Sequence, residues 1–125
     1  MRQLVRKSDG WLVGIAGASA VVLGAFGAHA LRDALGASQQ ELWHIAVEYH
    51  FWHALALALA VWCRPSRASR AAVILFALGI VLFSGSLYAL ALGAPRWTGI
   101  VTPFGGVAFI AGWIALGLAF RSQRD

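Results

Sequence analysis

Four long apolar runs dominate this sequence and leave little of it outside them. They extend approximately from Trp11 to Leu31, Trp43 to Cys63, Ala71 to Leu92 and Ile100 to Phe120. Each run is close to the ~20 residues that cross ~30 Å of hydrocarbon as a helix. Only 12% of the residues are charged, against roughly 25% in soluble domains. The sequence therefore predicts one all-α domain, residues 1–125, made of four transmembrane helices with these bounds.

Lysine and arginine residues are distributed unevenly around these runs. Eight of the ten lie before the first run, in the second connector or after the last run. They are Arg2, Arg6, Lys7, Arg64, Arg67, Arg70, Arg121 and Arg124. Because short segments rich in these residues stay in the cytoplasm, the pattern predicts that both termini are cytoplasmic. Trp11 and Trp62 are then expected at the inner membrane interface, and Trp43 and Trp97 at the outer one.

The net charge of +5 suggests an anionic partner. The basic residues are dispersed over several connectors instead of gathered on one helix, so we expect no nucleic-acid binding. Anionic lipid of the inner leaflet is the simpler partner, within the lipid bilayer itself. The single cysteine, Cys63, can form no intrachain disulfide and lacks a second thiol for a metal site.

Small residues recur at four-residue spacing on two of the predicted helices. They are Ala16, Ala20, Gly24 and Ala28 on the first helix, and Gly85, Ala89 and Gly93 on the third. Because lipid tails are as apolar as the helices, close packing through small residues is the main attraction between helices in a membrane. We expect these ridges to pack helices within one subunit, or to form the interface of a homo-oligomer or a larger membrane complex.

The second run contains a cluster of ionisable residues, which are costly at membrane depth and therefore mark a candidate site. The cluster comprises Glu41, His44, Glu48, Tyr49, His50 and His53. At ~100° per residue, His44 and Glu48 lie on one helix face as an i, i+4 pair. Glu48 and His53 diverge by about 140°, so we do not expect both to contact one small ligand within a subunit.

Other polar residues are expected at a similar depth. With a rise of ~1.5 Å per residue, the polar residues of the first and third helices fall in the outer half of the bilayer, as the cluster does. The inner halves of the runs contain no ionisable residue, so one subunit holds no continuous proton relay. This pattern predicts a ligand-binding vestibule open to the outside. Its candidate residues are His29, Glu48, Tyr49, His53, Ser84, Ser86 and Tyr88.

The same residues allow a purely structural interpretation, in which they form hydrogen bonds that set the register between helices. Glu41-x-x-His44 has the spacing of di-iron bundles, but a second copy is missing. Haem ligation by His29 with His50 or His53 would require imidazoles at very different depths. The sequence contains none of the usual nucleophile, phosphate-binding or zinc-helix motifs. We therefore expect no enzymatic activity, no metal site and no cofactor.

Four segments resemble the bacterial YgdD/YwdK-type family, which is related to a small animal transmembrane protein. The segments are GAFGAHAL from Gly24, EYHFWHAL from Glu48, FSGSLY from Phe83 and TPFGG from Thr102. The resemblance implies a four-helix protein of the bacterial inner membrane and no established activity. It also implies glutamine at the position of His50, and glutamine cannot titrate.

Two functions remain open from the sequence. In the first, a non-enzymatic bundle uses the outer-half cluster to bind a small polar ligand, a lipid headgroup or a partner helix. In the second, the protein is a proton-coupled transporter or a metal- or haem-binding protein. An oligomer or a larger complex would then supply the missing relay or ligands.

Overall fold

The described part of the chain is built from helices joined by short connectors. A computed structural model describes residues 5–122, so Arg2 and Arg124 of the predicted charge pattern lie outside it. The helices are α1 (Lys7–His29), α2 (Ala37–Trp62), α3 (Arg67–Gly79), α4 (Gly85–Ala91) and α5 (Val101–Ser122). A π-helical segment, Ile80–Ser84, joins α3 to α4, and a 3-10 turn, Arg96–Ile100, leads into α5.

Within residues 5–122, four stretches of helix are long and apolar enough to cross a membrane, which confirms the predicted all-α membrane fold. They are Lys7–His29, Ala37–Trp62, Arg67–Ala91 and Arg96–Ser122. α1, α2 and α3 begin four to six residues before the corresponding apolar runs, and a polar side chain caps the start of α3. At the start of α3, the Ser66 hydroxyl accepts a hydrogen bond from the amide of Ser69 at 3.0 Å, and the Ser66 amide donates to Ser69 Oγ at 2.9 Å.

The spans alternate in direction. In the third span, Phe76 of α3 lies against Gly112 of α5, and Phe83 of the π segment lies against Gly105 of α5. Only antiparallel helices give this order. α1 packs on α2, α2 packs on α3 and α4, and α3 packs on α5. We call the end of the bundle where α1 and α3 begin the Arg70 end, and the opposite end the Trp43 end.

α1 is the peripheral span. Of its most apolar stretch 11% is buried, against 39% for that of α2. It meets α3 at the Arg70 end, where Arg70 Nη1 lies 2.9 Å and 2.8 Å from the two carboxylate oxygens of Asp9. This ion pair, which the sequence analysis did not predict, holds the beginnings of α1 and α3 together.

Small and aromatic residues form the core between α2, α3 and α5. Phe76 and Phe109 lie at its centre, surrounded by alanines and leucines of the three helices. A Cβ at Gly112 would lie 2.8 Å from the ring of Phe76, so only glycine lets the backbone of α5 approach that closely. The core is therefore held by close packing, as expected where lipid supplies no hydrophobic drive.

The predicted small-residue ridges are used unevenly. On α1, Ala16 and Ala20 are buried and Gly24 faces Val47, whereas Ala28 is exposed. On the third span, Gly85 and Gly93 are exposed and Ala89 is half-buried. Gly93 follows the end of α4 with a φ of 101°, a left-handed conformation that suits glycine. Within one subunit, the Gly85–Gly93 ridge is therefore not a packing face, and its role in an oligomer stays a prediction.

The π-helical segment explains why the third span packs through other residues. Its wider turn inserts an extra residue and so rotates the residues that follow it relative to α3. The last residue, Ser84, is buried, and its hydroxyl donates to the carbonyl of Ala46 on α2 at 2.7 Å. The rotation thus directs the hydroxyl of Ser84 toward α2 and leaves Gly85 exposed.

Trp43, expected at the outer membrane interface, does not have the exposed indole of an interfacial tryptophan. Its indole is buried between helices, where Nε1 donates to the carbonyl of Leu23 at 2.9 Å. Its ring centroid lies 4.7 Å from that of Tyr88. Trp11, Trp62 and Trp97, by contrast, are exposed, as an interfacial position requires.

Candidate functional site

His53 is held in the core by two hydrogen bonds. The indole Nε1 of Trp113 donates to His53 Nε2 at 3.0 Å, and His53 Nδ1 lies 2.7 Å from the carbonyl oxygen of Tyr49. Because an indole can only donate, Nε2 must be the unprotonated nitrogen, and Nδ1–H donates to the carbonyl. The geometry therefore assigns His53 the neutral Nδ1–H tautomer.

Aromatic rings enclose this histidine. The ring of His53 stacks on that of Phe109, with a centroid distance of 3.6 Å and an interplanar angle of 11°. The ring of Tyr49 is nearly parallel at 5.9 Å, and Trp113 approaches edge-on. Both ring nitrogens are bonded and Phe109 covers one ring face, so neither nitrogen of His53 is open to a ligand.

His50 has the opposite tautomer. Ser19 Oγ donates to the carbonyl of Ala16 at 3.1 Å and lies 3.1 Å from His50 Nε2. Since a hydroxyl has one hydrogen, a Ser19 hydroxyl that donates to Ala16 accepts from Nε2–H of His50. His50 Nδ1 then accepts from the hydroxyl of Tyr88 at 2.8 Å. The position of His50 therefore needs one hydrogen-bond donor and one acceptor. The amide of glutamine, which the family resemblance implies at this position, also offers both.

The two predicted serines are also paired. Ser84 Oγ bonds the backbone of α2, as described above. Ser86 Oγ lies 2.9 Å from the carbonyl of Phe83 and 2.5 Å from Thr102 Oγ1, which joins α4 to α5. These hydroxyls therefore connect the third span to the helices on either side of it.

The acidic part of the cluster is separate from these contacts. His44 Nε2 and Glu48 Oε1 form the expected i, i+4 pair at 2.7 Å, with side chains that are 74% and 41% exposed. Glu48 points away from His53, as the angle between them on the helix predicts. Glu41 is exposed, and His29 is exposed at the end of α1.

The seven predicted ligand-binding residues are thus not gathered at one place. Tyr49 and His53 belong to the core, Tyr88 bonds His50, and the serines join helices. Glu48 and His29 lie outside this buried network. Four hydrogen-bond partners were missing from the seven predicted residues: Ser19, His50, Thr102 and Trp113. His50 belongs to the ionisable cluster of the second run, whereas serine, threonine and tryptophan are ordinary in a membrane helix. The sequence carries no signal for contacts between different helices.

The network is complete in the absence of a ligand. Within residues 5–122, every buried side-chain nitrogen or oxygen has a hydrogen-bond partner. Since an unsatisfied buried polar group costs about 1–3 kcal/mol, this completeness stabilises one arrangement of the four spans. For the two buried histidines, this completeness agrees with the interpretation in which the cluster forms hydrogen bonds that set the register between helices.

The ligand set for a metal is not assembled in this part of the chain. No group of three or more His, Cys, Asp or Glu side chains within residues 5–122 is placed to hold a metal ion. Of the axial haem ligands considered from the sequence, His50 and His53 have both ring nitrogens engaged in the hydrogen bonds described above, and His29 is exposed at the end of α1.

Among the cavities that the described residues form on the surface of the bundle, three are large enough for a small molecule. One, of about 500 Å³, lies at the Trp43 end between α1 and α2 and is lined by Arg32, Glu41 and His44 among others. A second, of about 360 Å³, lies between α1 and the π segment, and its floor on α2 includes His50. A third, of about 580 Å³, lies at the Arg70 end. The predicted vestibule corresponds most closely to the first, which contains none of the seven predicted residues.

The fold and the buried network define a small four-span membrane protein whose polar core is hydrogen-bonded internally. Residues 23–106 match the family described as "Protein of unknown function (DUF423)". The chain belongs to this family, and the resemblance to YgdD/YwdK-type proteins is confirmed.

Similar proteins share most of the length of this chain. UPF0382 inner membrane protein YgdD of Escherichia coli (strain K12) is 47% identical over 114 residues, which cover 88% of this chain and 87% of that protein. UPF0382 membrane protein YwdK of Bacillus subtilis (strain 168) is 43% identical over 105 residues, which cover 80% and 85%. No solved structure matches.

Proposed function

We propose that this protein is a multi-pass bacterial inner-membrane protein without enzymatic activity that binds an amphiphilic ligand in a lipid-facing groove. The Arg70 end carries Arg6, Arg67, Arg70 and Arg121. The positive-inside rule places that end in the cytoplasm. Relatives named as inner membrane proteins support this location.

The observation that carries the proposal is the second cavity described above, between α1 and the π segment of the third span. We call it the α1–α3 groove. It has a volume of about 360 Å³, within the range of small-molecule sites. Residues on its rims, Ile15 and Val81, are 62% and 67% exposed, so the groove opens toward the acyl chains of the bilayer. Its polar side chains are Ser19, His50 and Tyr88, and the remaining walls are apolar.

The hydrogen bonds described above determine which chemistry the groove presents. The Tyr88 hydroxyl donates its hydrogen to His50, and the Ser19 hydroxyl donates its hydrogen to Ala16. Each oxygen keeps a lone pair that can accept another hydrogen bond. A ligand head would therefore meet acceptors instead of donors. A hydrogen-bond donor such as an alcohol or phenol suits this groove, and an ester or ketone does not.

The ligand class that follows is a neutral amphiphile with a hydroxyl head and an apolar chain. The chain would lie along the apolar wall formed by residues such as Leu12 and Ile80. Moving the apolar chain of the ligand from the bilayer into the groove gains little free energy, since both surroundings are hydrocarbon. Selectivity would come from the hydroxyl, because a donor in hydrocarbon has few other partners.

Photolabelling with a matched pair of probes tests this proposal. We would compare a diazirine-bearing long-chain alcohol with its methyl ether, which lacks the donor, on purified protein in mild detergent. The alcohol is expected to label residues of the α1–α3 groove at least severalfold more than the ether. Val81→Trp, which fills the rim, is expected to suppress this labelling.

Ile114→Trp is the matched control, because Ile114 is also exposed to lipid but lies on α5, away from the groove. Glu48→Gln is a second control, since Glu48 does not line the groove. Equal labelling by the alcohol and the ether, or labelling that Val81→Trp leaves unchanged, would refute the proposal. The transport and metal- or haem-binding alternatives stay predictions without a structural observation that favours them.

A further inference from the structure

The cavity at the Arg70 end is charged, unlike the α1–α3 groove. It has a volume of about 580 Å³ and lies where α1 begins, α2 ends and α3 begins. Its charged lining consists of Arg6, Asp9, Arg67 and Arg70. Arg6 immediately precedes α1 and Arg67 is the first residue of α3, so basic groups from two helices face one space.

Asp9 neutralises one of the three guanidinium groups. Its carboxylate is buried, and Nη1 of Arg70 donates to its two oxygens at 2.9 Å and 2.8 Å. The lining therefore keeps an excess of two positive charges, from Arg6 and Arg67, which are both exposed. The N-terminus of α3 adds a further positive potential through its helix dipole.

The rest of the cavity wall is apolar. Val61, Val73 and Ile74 line it on the side of α2 and α3. Ile74 is exposed, and it lies one to two turns into the membrane-spanning part of α3. A basic rim above an apolar wall at a membrane surface matches a molecule with an anionic head and hydrocarbon tails. A water-soluble anion would gain nothing from that wall.

We propose that this cavity binds the phosphate headgroup of an anionic phospholipid between Arg6 and Arg67, with an acyl chain along Ile74. Guanidinium groups suit this ligand because their planar donors pair with phosphate oxygens in a bidentate manner. The lipid would come from the cytoplasmic leaflet, where anionic lipids attract basic segments. The proposal depends on the membrane topology and not on the ligand of the α1–α3 groove.

The lipid also has a mechanical consequence for α1. This helix packs on α2 but leaves a groove toward α3, and the described contact that joins the starts of α1 and α3 is the Asp9–Arg70 pair. A phosphate held by Arg6 and Arg67 adds a second connection at the same end. Occupancy is therefore expected to raise the melting temperature of the whole bundle.

Native mass spectrometry of the full chain, released from detergent micelles, tests the proposal. The probes are phosphatidylglycerol and phosphatidylcholine with identical acyl chains, together with inorganic phosphate as a competitor. Phosphatidylglycerol is expected to bind at least fivefold more tightly than phosphatidylcholine. Arg67→Gln and Arg6→Gln are each expected to lower that affinity about fivefold, as one basic residue near the surface contributes about 1 kcal/mol.

Arg121→Gln is the matched control, because it removes the same charge at the same end of the bundle from outside the cavity. It is expected to leave phosphatidylglycerol affinity within twofold of the parent protein. Equal affinities for the two lipids, an Arg121→Gln effect as large as that of Arg67→Gln, or displacement by inorganic phosphate at micromolar concentration would each overturn the proposal. Groove photolabelling should survive Arg67→Gln, so the two sites are tested independently.

Discussion

Replacing Gly105 by alanine is expected to destabilise the bundle, because α5 touches the backbone of the third span there. A Cβ at Gly105 would lie 2.7 Å from Phe83 Cα and would overlap the backbone nitrogen as well. Carbon atoms normally approach to about 3.5–4.0 Å, so the helices must separate by about 1 Å. A side chain could rotate away from the added methyl group, but a backbone cannot.

The size of the effect follows from that displacement. Overpacking by one methyl group in a tight interface costs typically about 1–3 kcal/mol. Alanine recovers up to about 1 kcal/mol through its higher helix propensity, although that value was measured in water. We therefore expect Gly105→Ala to lower the free energy of unfolding by about 1–2 kcal/mol.

Gly106 provides a control one residue away on the same helix. A Cβ there would lie 3.9 Å from the side chain of Phe83, which is an ordinary contact. Gly106→Ala is therefore expected to leave the free energy of unfolding unchanged or to raise it by up to about 1 kcal/mol, through helix propensity alone. Reversible unfolding in mixed micelles, followed by tryptophan fluorescence, measures both variants.

The displacement should also weaken the hydrogen bond between Ser84 and the carbonyl of Ala46, because Ser84 follows Phe83 in the π segment. Gly105→Ala is then expected to cost less in a Ser84→Ala background than in the parent protein. If Gly105→Ala proved as stable as Gly106→Ala, the inferred backbone contact between α5 and the π segment would be refuted.

Two further stability predictions use the same assay. A double-mutant cycle on Asp9→Asn and Arg70→Gln should give a coupling energy of about 1–2 kcal/mol. The side chain of Asp9 is only 11% exposed, which strengthens the pair, whereas that of Arg70 is 38% exposed, which weakens it. A cycle on the exposed His44–Glu48 pair should give less than about 0.5 kcal/mol, and equal couplings would contradict the burial argument. Trp113→Phe should cost about 1–3 kcal/mol by leaving His53 Nε2 without its donor. Trp97→Phe, at an exposed position, should be nearly neutral, and a neutral Trp113→Phe would count against the assigned tautomer.

Which site residues of α2 share a helix face was predictable from the geometry of that helix alone. Residues four apart on a helix lie on one face, so the contact between His44 and Glu48 follows from their spacing. The same rule separated Glu48 from His53, which the structure places on different sides of α2. Such predictions succeed because they depend on helix geometry, which does not change with the surroundings.

Contacts between helices were not predictable in this way. The sequence analysis placed Tyr88 and His53 in one ligand-binding vestibule, but the structure pairs Tyr88 with His50 and His53 with Trp113. A hydrogen bond requires its atoms to be placed within a few tenths of an ångström of about 3 Å. Rotating a helix by one residue moves a side chain by about 100°, so the partner depends on the packing of the whole bundle.

The sequence by itself determined the class of the protein: four apolar spans that must be helical, since backbone groups in hydrocarbon have to bond within their own segment. It also determined where charge is concentrated, at the connectors on one side of the bundle. The tertiary structure alone decided which polar groups meet. The π turn and the glycine contacts of α5 set the rotation of the third span, and that rotation brings Tyr88 to His50 and leaves the α1–α3 groove open.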